Sequence, residues 1–171
     1  MSEPAAGAVH VRPAEPRDVA RIATFIRDLA RYEKLEHLVD GDAARLHEHL
    51  FGPRPVCEAL LAEHAGEPAG FALFFTTYST FRMRPCLYLE DLFVAEPLRG
   101  RGIGLALLRR LAALAVARGC PRLDWSVLDW NTPAIGFYEA QGAVLLRDWR
   151  TCRLEGDALA RCAAAAPAGR R

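Results

Sequence analysis

The stretch between residues 87 and 118 limits the possible folds of this chain most sharply. Residues 87–94, Leu-Tyr-Leu-Glu-Asp-Leu-Phe-Val, read as a strand, and Pro97 with a glycine-rich turn follows at once. The turn, Arg99-Gly100-Arg101-Gly102-Ile103-Gly104, runs straight into a helix over 103–118. Ile103, Leu107, Leu111 and Leu114 share one face of that helix, Arg109 and Arg110 sit toward solvent, and Gly119 and Pro121 stop it. Glycines allow positive φ and close backbone approach to a ligand, and the first N–H groups of a helix favour an anion. A diphosphate is the natural occupant. The nucleoside-triphosphate loop requires Lys and then Ser or Thr after its last glycine, whereas Leu105-Ala106 stand there. The dinucleotide fingerprint requires GxGxxG after the first strand, whereas this turn is GxGxG in mid-chain.

Around this segment the chain reads as an α/β fold. Residues 9–12 form a strand punctuated by Pro13 and Pro16, and Val19, Ile22, Ala23, Ile26 and Leu29 recur at helical spacing to about Ala30. Asp40-Gly41-Asp42 starts a second helix over 43–50, closed by Gly52-Pro53. Strands over 57–64 and 70–78 pair as a hairpin about Gly66-Glu67-Pro68. After the long helix come a strand over 123–127, a helix over 132–140 capped by Asn131, and two short strands over 143–146 and 149–154. One domain over 9–154 is expected, with a mixed sheet and helices on both faces; 155–171 is expected to be a short helix and a flexible tail.

Composition excludes several classes. A net charge of +1 over 171 residues lacks the basic field of a nucleic-acid protein. Lys34 is the only lysine, and the arginine and alanine bias reads as compositional. Five cysteines scattered singly read as reduced thiols, and no metal-ligand spacing occurs; His47 and His49 point to different helix faces, so no metal is expected. Residues 1–9 lack a basic and apolar leader pattern, and no apolar run is long enough to span a bilayer. The expectation is a soluble cytoplasmic enzyme with no nucleic-acid or membrane partner.

The pattern Arg-x-x-Gly-x-Gly resembles the coenzyme A loop of the GCN5-related N-acetyltransferase (GNAT) superfamily, over roughly residues 9–154. Three segments resemble its small diamine and thialysine acetyltransferase branch: residues 87–94, residues 99–104, and Trp130-Asn131-Thr132-Pro133-Ala134-Ile135-Gly136-Phe137-Tyr138, with Tyr32-Glu33 matching as well. The resemblance implies a mostly antiparallel sheet, acetyl-CoA as co-substrate, a small-molecule amine as acceptor, direct attack in a ternary complex, and a homodimer with C-terminal strands at its interface. Backbone at Leu92, Phe93 and Val94 would hold the pantetheine arm, and one N–H there would polarise the thioester. Arg99, Gly100, Arg101, Gly102, Ile103, Gly104 and Leu105, together with Asn131, Thr132, Pro133 and Ala134, would bind the cofactor.

The reaction must remove a proton from an alkylammonium, stabilise an oxyanion and accommodate a departing thiolate. If the strand is regular, Tyr88, Glu90 and Leu92 share a face and Asp91 points oppositely. In the resembling family the glutamate matching Glu90 binds the amine and helps deprotonate it through water, and a bulge in this strand would re-aim Asp91. Glu90 also reads as an edge carboxylate paired with an arginine. Tyr138 is the expected acid for the thiolate, and it also reads as a half-buried helix residue. Tyr32, Glu33 and Glu36 form an acidic, aromatic cluster suited to an ammonium or a solvated helix end. Tyr78, Phe81, Trp125 and Trp130 suggest a closed small-molecule site. Where the polyamine enzymes carry adjacent glutamates, this chain keeps Asp148 beside Arg147, which favours an acceptor bearing both amine and carboxylate, such as thialysine, over spermine. A protein lysine or N-terminal acetyltransferase and a non-catalytic acetyl-CoA-binding module are the alternatives.

Overall fold

A computed structural model describes residues 7–166. The chain divides into two units, Met1–Ser126 and Val127–Arg171. The first contains the whole sheet: β1 (Val9–Pro13), β2 (Glu58–His64), β3 (Glu67–Ser79), β4 (Arg84–Val94) and β5 (Leu123–Trp125), side by side in chain order. β1 to β4 pair antiparallel, and β5 joins β4 in parallel. The sheet is therefore mixed and mostly antiparallel, as expected.

Strand alternation sorts the core into two layers. Ala59, Leu61, Phe71, Leu73 and Phe93 pack with Ile22 and Phe25 of α1 (Val19–Glu33) and Leu50 of α2 (Ala43–Phe51). Phe25 lies parallel to Phe71 with centroids 6.1 Å apart and meets Phe93 at 5.8 Å. Full burial of an aromatic ring of this size contributes about 1.5–3 kcal/mol. The opposite face carries Leu60, Ala62, Ala72, Phe74, Leu87 and Leu89 and is packed by α3 (Ile103–Ala117), whose Ile103, Leu107, Leu108 and Leu111 are buried. Arg118, just past α3, lies over the Phe74 ring and binds Glu58 bidentately at 2.6 and 2.7 Å.

The entry to α1 is fixed by charge. Arg12 on β1 holds Asp18 with two bonds of 2.7 and 3.0 Å and Glu63 on β2 with a third of 2.9 Å. Asp18 is buried and also accepts from the Glu15 amide. Its bond with Arg12 holds the Asp18 carboxyl below the usual range.

The second unit holds α4 (Thr132–Glu139) and α5 (Gly156–Ala164). Residues 143–154, expected as two strands, contain none; Val144, Leu146, Trp149 and Leu154 are exposed there. A strand requires a hydrogen-bonded partner, and among the described residues 143–154 belong to no strand ladder. The alanine-rich end is helical as far as Ala164, and residues 167–171 of the expected tail lie outside the described residues. Among the described residues no helix is long and apolar enough to cross a membrane.

Candidate active site

Midway along β4 the side chains change faces. Leu73 of β3 stands opposite Asp91, but its neighbour Phe74 stands opposite Leu89, so Glu90 is an extra residue with no partner. An inserted residue resets the alternation, and directly opposed residues share a face. Tyr88, opposite Phe75 with ring centroids 5.3 Å apart, therefore shares the α1 face with Asp91 and Phe93. Leu89 and Leu92, opposite Phe74 and Ala72, occupy the α3 face. The expected grouping of Tyr88, Glu90 and Leu92 on one face is thus corrected: the bulge leaves Glu90 exposed and turns Asp91 toward α1.

The end of α1 approaches the same place. Lys34 adopts a left-handed conformation (φ 62°), and its N–H and that of Leu35 return to carbonyls of the last turn. This stop sets Glu33 and Tyr32 at the helix terminus. Burial raises the Glu33 carboxyl above its ordinary value. Asp91 is pushed further, to about 7, first by burial and then by the negative charges of Glu90 and Glu33. Three carboxyl groups therefore gather where β4 bulges and α1 ends.

Beyond the bulge, one side of β4 is open. β5 pairs only with Leu87, Tyr88 and Leu89. From Glu90 to Val94, β4 has β3 on one side and, among the described residues, no strand on the other. Trp125 stands opposite Leu89 at the last paired position, and the Tyr88 hydroxyl meets Ser126 Oγ at 2.8 Å nearby. On the β3 side, Gly70 faces Val94, and a Cβ there would collide with the Phe93 carbonyl.

Continuing from Val94, the chain reaches the glycine turn. Gly100 and Gly102 have φ of 76° and 79°, and Gly102 caps α3 without a side-chain bond. The first helical bond runs from the Ala106 N–H to the Gly102 carbonyl at 3.0 Å, so the amides of Ile103, Gly104 and Leu105 precede the ladder. A Cβ at either Gly100 or Gly102 would meet no atom within 4 Å, so backbone angle, not crowding, selects glycine there. An open strand edge leading to uncapped helix amides fits an extended arm ending in a diphosphate.

Arg99 occupies the junction. Its Nε donates to the Val94 carbonyl at 3.1 Å, and its guanidinium lies 4.7 Å from the Tyr32 ring centroid and 5.6 Å from that of Phe93. This contact was not legible in the sequence; the ring expected to face an ammonium faces an arginine.

The remaining candidates belong to the second unit. Asn131 is buried and caps α4, accepting from the Ala134 N–H at 3.3 Å, with Thr132 and Pro133 in the first turn. Tyr138 is half-buried with its ring 5.1 Å from Phe137, and Asp148 is exposed in irregular chain.

Known proteins show to which family the chain belongs. Residues 23–143 match the model of the Acetyltransferase (GNAT) family. Thialysine N-epsilon-acetyltransferase of Bos taurus is 38% identical over 162 residues, covering 88% of this chain and 95% of that protein. L-ornithine N5-acetyltransferase NATA1 of Arabidopsis thaliana is 34% identical over 194 residues, covering 87% and 85%. Among solved structures, an integron cassette protein from the mobile metagenome of V. cholerae superimposes with a TM-score of 0.76 at 28% identity, covering 91% of this chain and 97% of that one. The chain belongs to the GNAT family and is an acetyl-CoA-dependent N-acetyltransferase.

Proposed function

We propose that this enzyme acetylates the side-chain amine of a small amino acid of the thialysine, ornithine or lysine kind, by direct attack on acetyl-CoA in a ternary complex. The observation that carries this reading is the gathering of Glu33, Glu90 and Asp91 at the start of the open β4 edge. An alkylammonium has a pKa of about 10.4 and must lose a proton before it attacks. Three carboxyl groups draw it in, and its charge favours ionised Asp91. Asp91, raised to about 7 in the empty site, is suited to take the proton at neutral pH. Exposed Glu90 passes it to solvent through water. Tyr32 lines the acceptor side, and Tyr138 serves as acid for the thiolate; Trp125, paired with Leu89, lies on the α3 face instead.

Acetyl-CoA supplies the activated acyl carbon. Leu92, Phe93 and Val94 offer backbone to its arm, and the turn from Arg99 to Leu105 offers amides to its diphosphate; Asn131 to Ala134 match a family segment that also contacts the cofactor. An acceptor carboxylate suits Arg147, with Asp148 beside it. Two relatives named for thialysine and ornithine, both bearing an amine and a carboxylate, support that acceptor class. We take residues 9–154 as the acetyltransferase domain of a cytoplasmic homodimer; the exposed Val144, Leu146, Trp149 and Leu154 offer apolar surface for such contact.

A thiol-release assay with acetyl-CoA tests the reading across thialysine, ornithine, lysine, spermine and lysine-containing peptides. The amino acids are expected to react fastest. Faster acetylation of spermine or of a peptide would displace it, and turnover of none would exclude all of these acceptors.

A further inference from the structure

Arg99 stands on two places that the proposed reaction requires for other partners. The Val94 carbonyl, which its Nε holds at 3.1 Å, is the last acceptor on the open edge of β4. The Tyr32 ring, which its guanidinium covers at 4.7 Å, precedes Glu33 at the end of α1 and is the ring proposed above for the acceptor side. Both contacts lie within the first unit and join the end of α1 to the residue before Gly100. We propose that Arg99 is a latch coupling the two sites: without cofactor it fills the cationic position on Tyr32, and the diphosphate of CoA draws it away, opening that ring to the amine. This rests on the acetyltransferase reading above and concerns how its two sites are coupled.

The physical case is a competition for one guanidinium. The Tyr32 and Phe93 rings and one neutral carbonyl hold a cation modestly. A diphosphate offers charged oxygens in a geometry that the guanidinium fork matches bidentately. Gly100 and Gly102, on either side of Arg101 and at positive φ, would place backbone amides on the same anion. Departure of Arg99 vacates the Val94 carbonyl and the Tyr32 face together. Left in place, the guanidinium would repel an incoming ammonium and compete for the ring.

Arginine Nε–Hε correlation spectra of the full chain test the latch directly. In the free protein one cross-peak, absent from Arg99→Met, should lie upfield under the ring current of Tyr32, and Tyr32→Leu should return it to the ordinary range. Saturating CoA should do the same with Tyr32 intact. Thialysine affinity measured by calorimetry should be roughly fivefold to tenfold higher with CoA than without it. In Arg99→Met that difference should vanish, with the cofactor-free affinity raised. An Arg99 peak that stays upfield while the Gly100–Gly104 amides respond to CoA overturns the latch alone. Absence of any CoA response in the spectrum removes the acetyltransferase reading and the latch with it. Thialysine affinity that is undetectable with CoA, indifferent to CoA, or equally CoA-dependent in Arg99→Met overturns the coupling.

Discussion

Leu73 and Asp91 face one another across β3 and β4, and because Glu90 is inserted just before it, Asp91 points toward α1 instead of α3. The chemistry proposed for the site turns on that one-residue offset. It places a carboxyl group among apolar neighbours and next to two other acids, and so lifts it toward neutrality.

Asp91→Asn is expected to lower kcat/KM at pH 7 by roughly 10²–10⁴-fold. In the wild type, kcat/KM should rise through a limb near pH 7, where free Asp91 ionises. A pH–rate profile of the variant should lack that limb. A limb that persists unchanged would assign the base elsewhere.

The same group affects stability. Folded Asp91 holds its proton up to about pH 7, whereas the unfolded group releases it near 4, so the native state binds more protons between those values. Its contribution is full below about pH 4 and is lost as pH rises through about 7. Melting temperatures of Asp91→Asn measured from pH 4 to 7 should lack this decline.

Asp18 runs the opposite way. Its carboxyl is depressed, chiefly by the Arg12 bond, so its contribution is present above about pH 4 and lost as pH falls through the native value. Asp18→Asn leaves the Arg12 charge partly buried with one acid fewer, and should cost about 3 kcal/mol in urea denaturation at pH 7. The acid-side loss seen in the wild type should be shallower in the variant.

Lys34→Gly should stabilise the protein by about 0.5–1 kcal/mol, because a left-handed residue with a Cβ is strained and glycine is not. A higher urea midpoint with an unchanged slope would check it.

Gly102→Ala separates folding from cofactor binding. The site has room for a methyl group in the free protein, so only the positive φ is penalised, at about 1 kcal/mol. CoA affinity by calorimetry should fall by roughly tenfold or more, since the backbone would no longer approach the ligand closely. An affinity unchanged within error would move the diphosphate off this turn.

Periodicity made the frame of the fold readable. The repeat of Ile103, Leu107 and Leu111 gives the helix observed over Ile103–Ala117, and Asp42 and Asn131 cap the helices they precede. What stayed hidden depends on partners remote in sequence. Residues 143–154 have strand-like composition, but composition supplies no ladder partner, and they are irregular. Nothing in the order Tyr88-Leu89-Glu90-Asp91 marks which residue is skipped by β3, so the faces of Glu90 and Asp91 could be set only by the pairing. The contact of Arg99 with Tyr32 spans more than sixty positions and follows no spacing rule.

The separation of β4 from β5 after only three paired residues has a mechanical consequence. A sheet interrupted there is less stiff than one zipped along its length, and whatever fills the gap becomes, for that moment, part of the scaffold. Loading the enzyme should slow amide exchange not only at the contact itself but along Glu90–Val94 and into Gly70, because a borrowed strand damps the fraying of its neighbours. Release of spent CoA from the edge proposed for it would then be a small unfolding event, and would tie the turnover of this enzyme to the flexibility of its own framework.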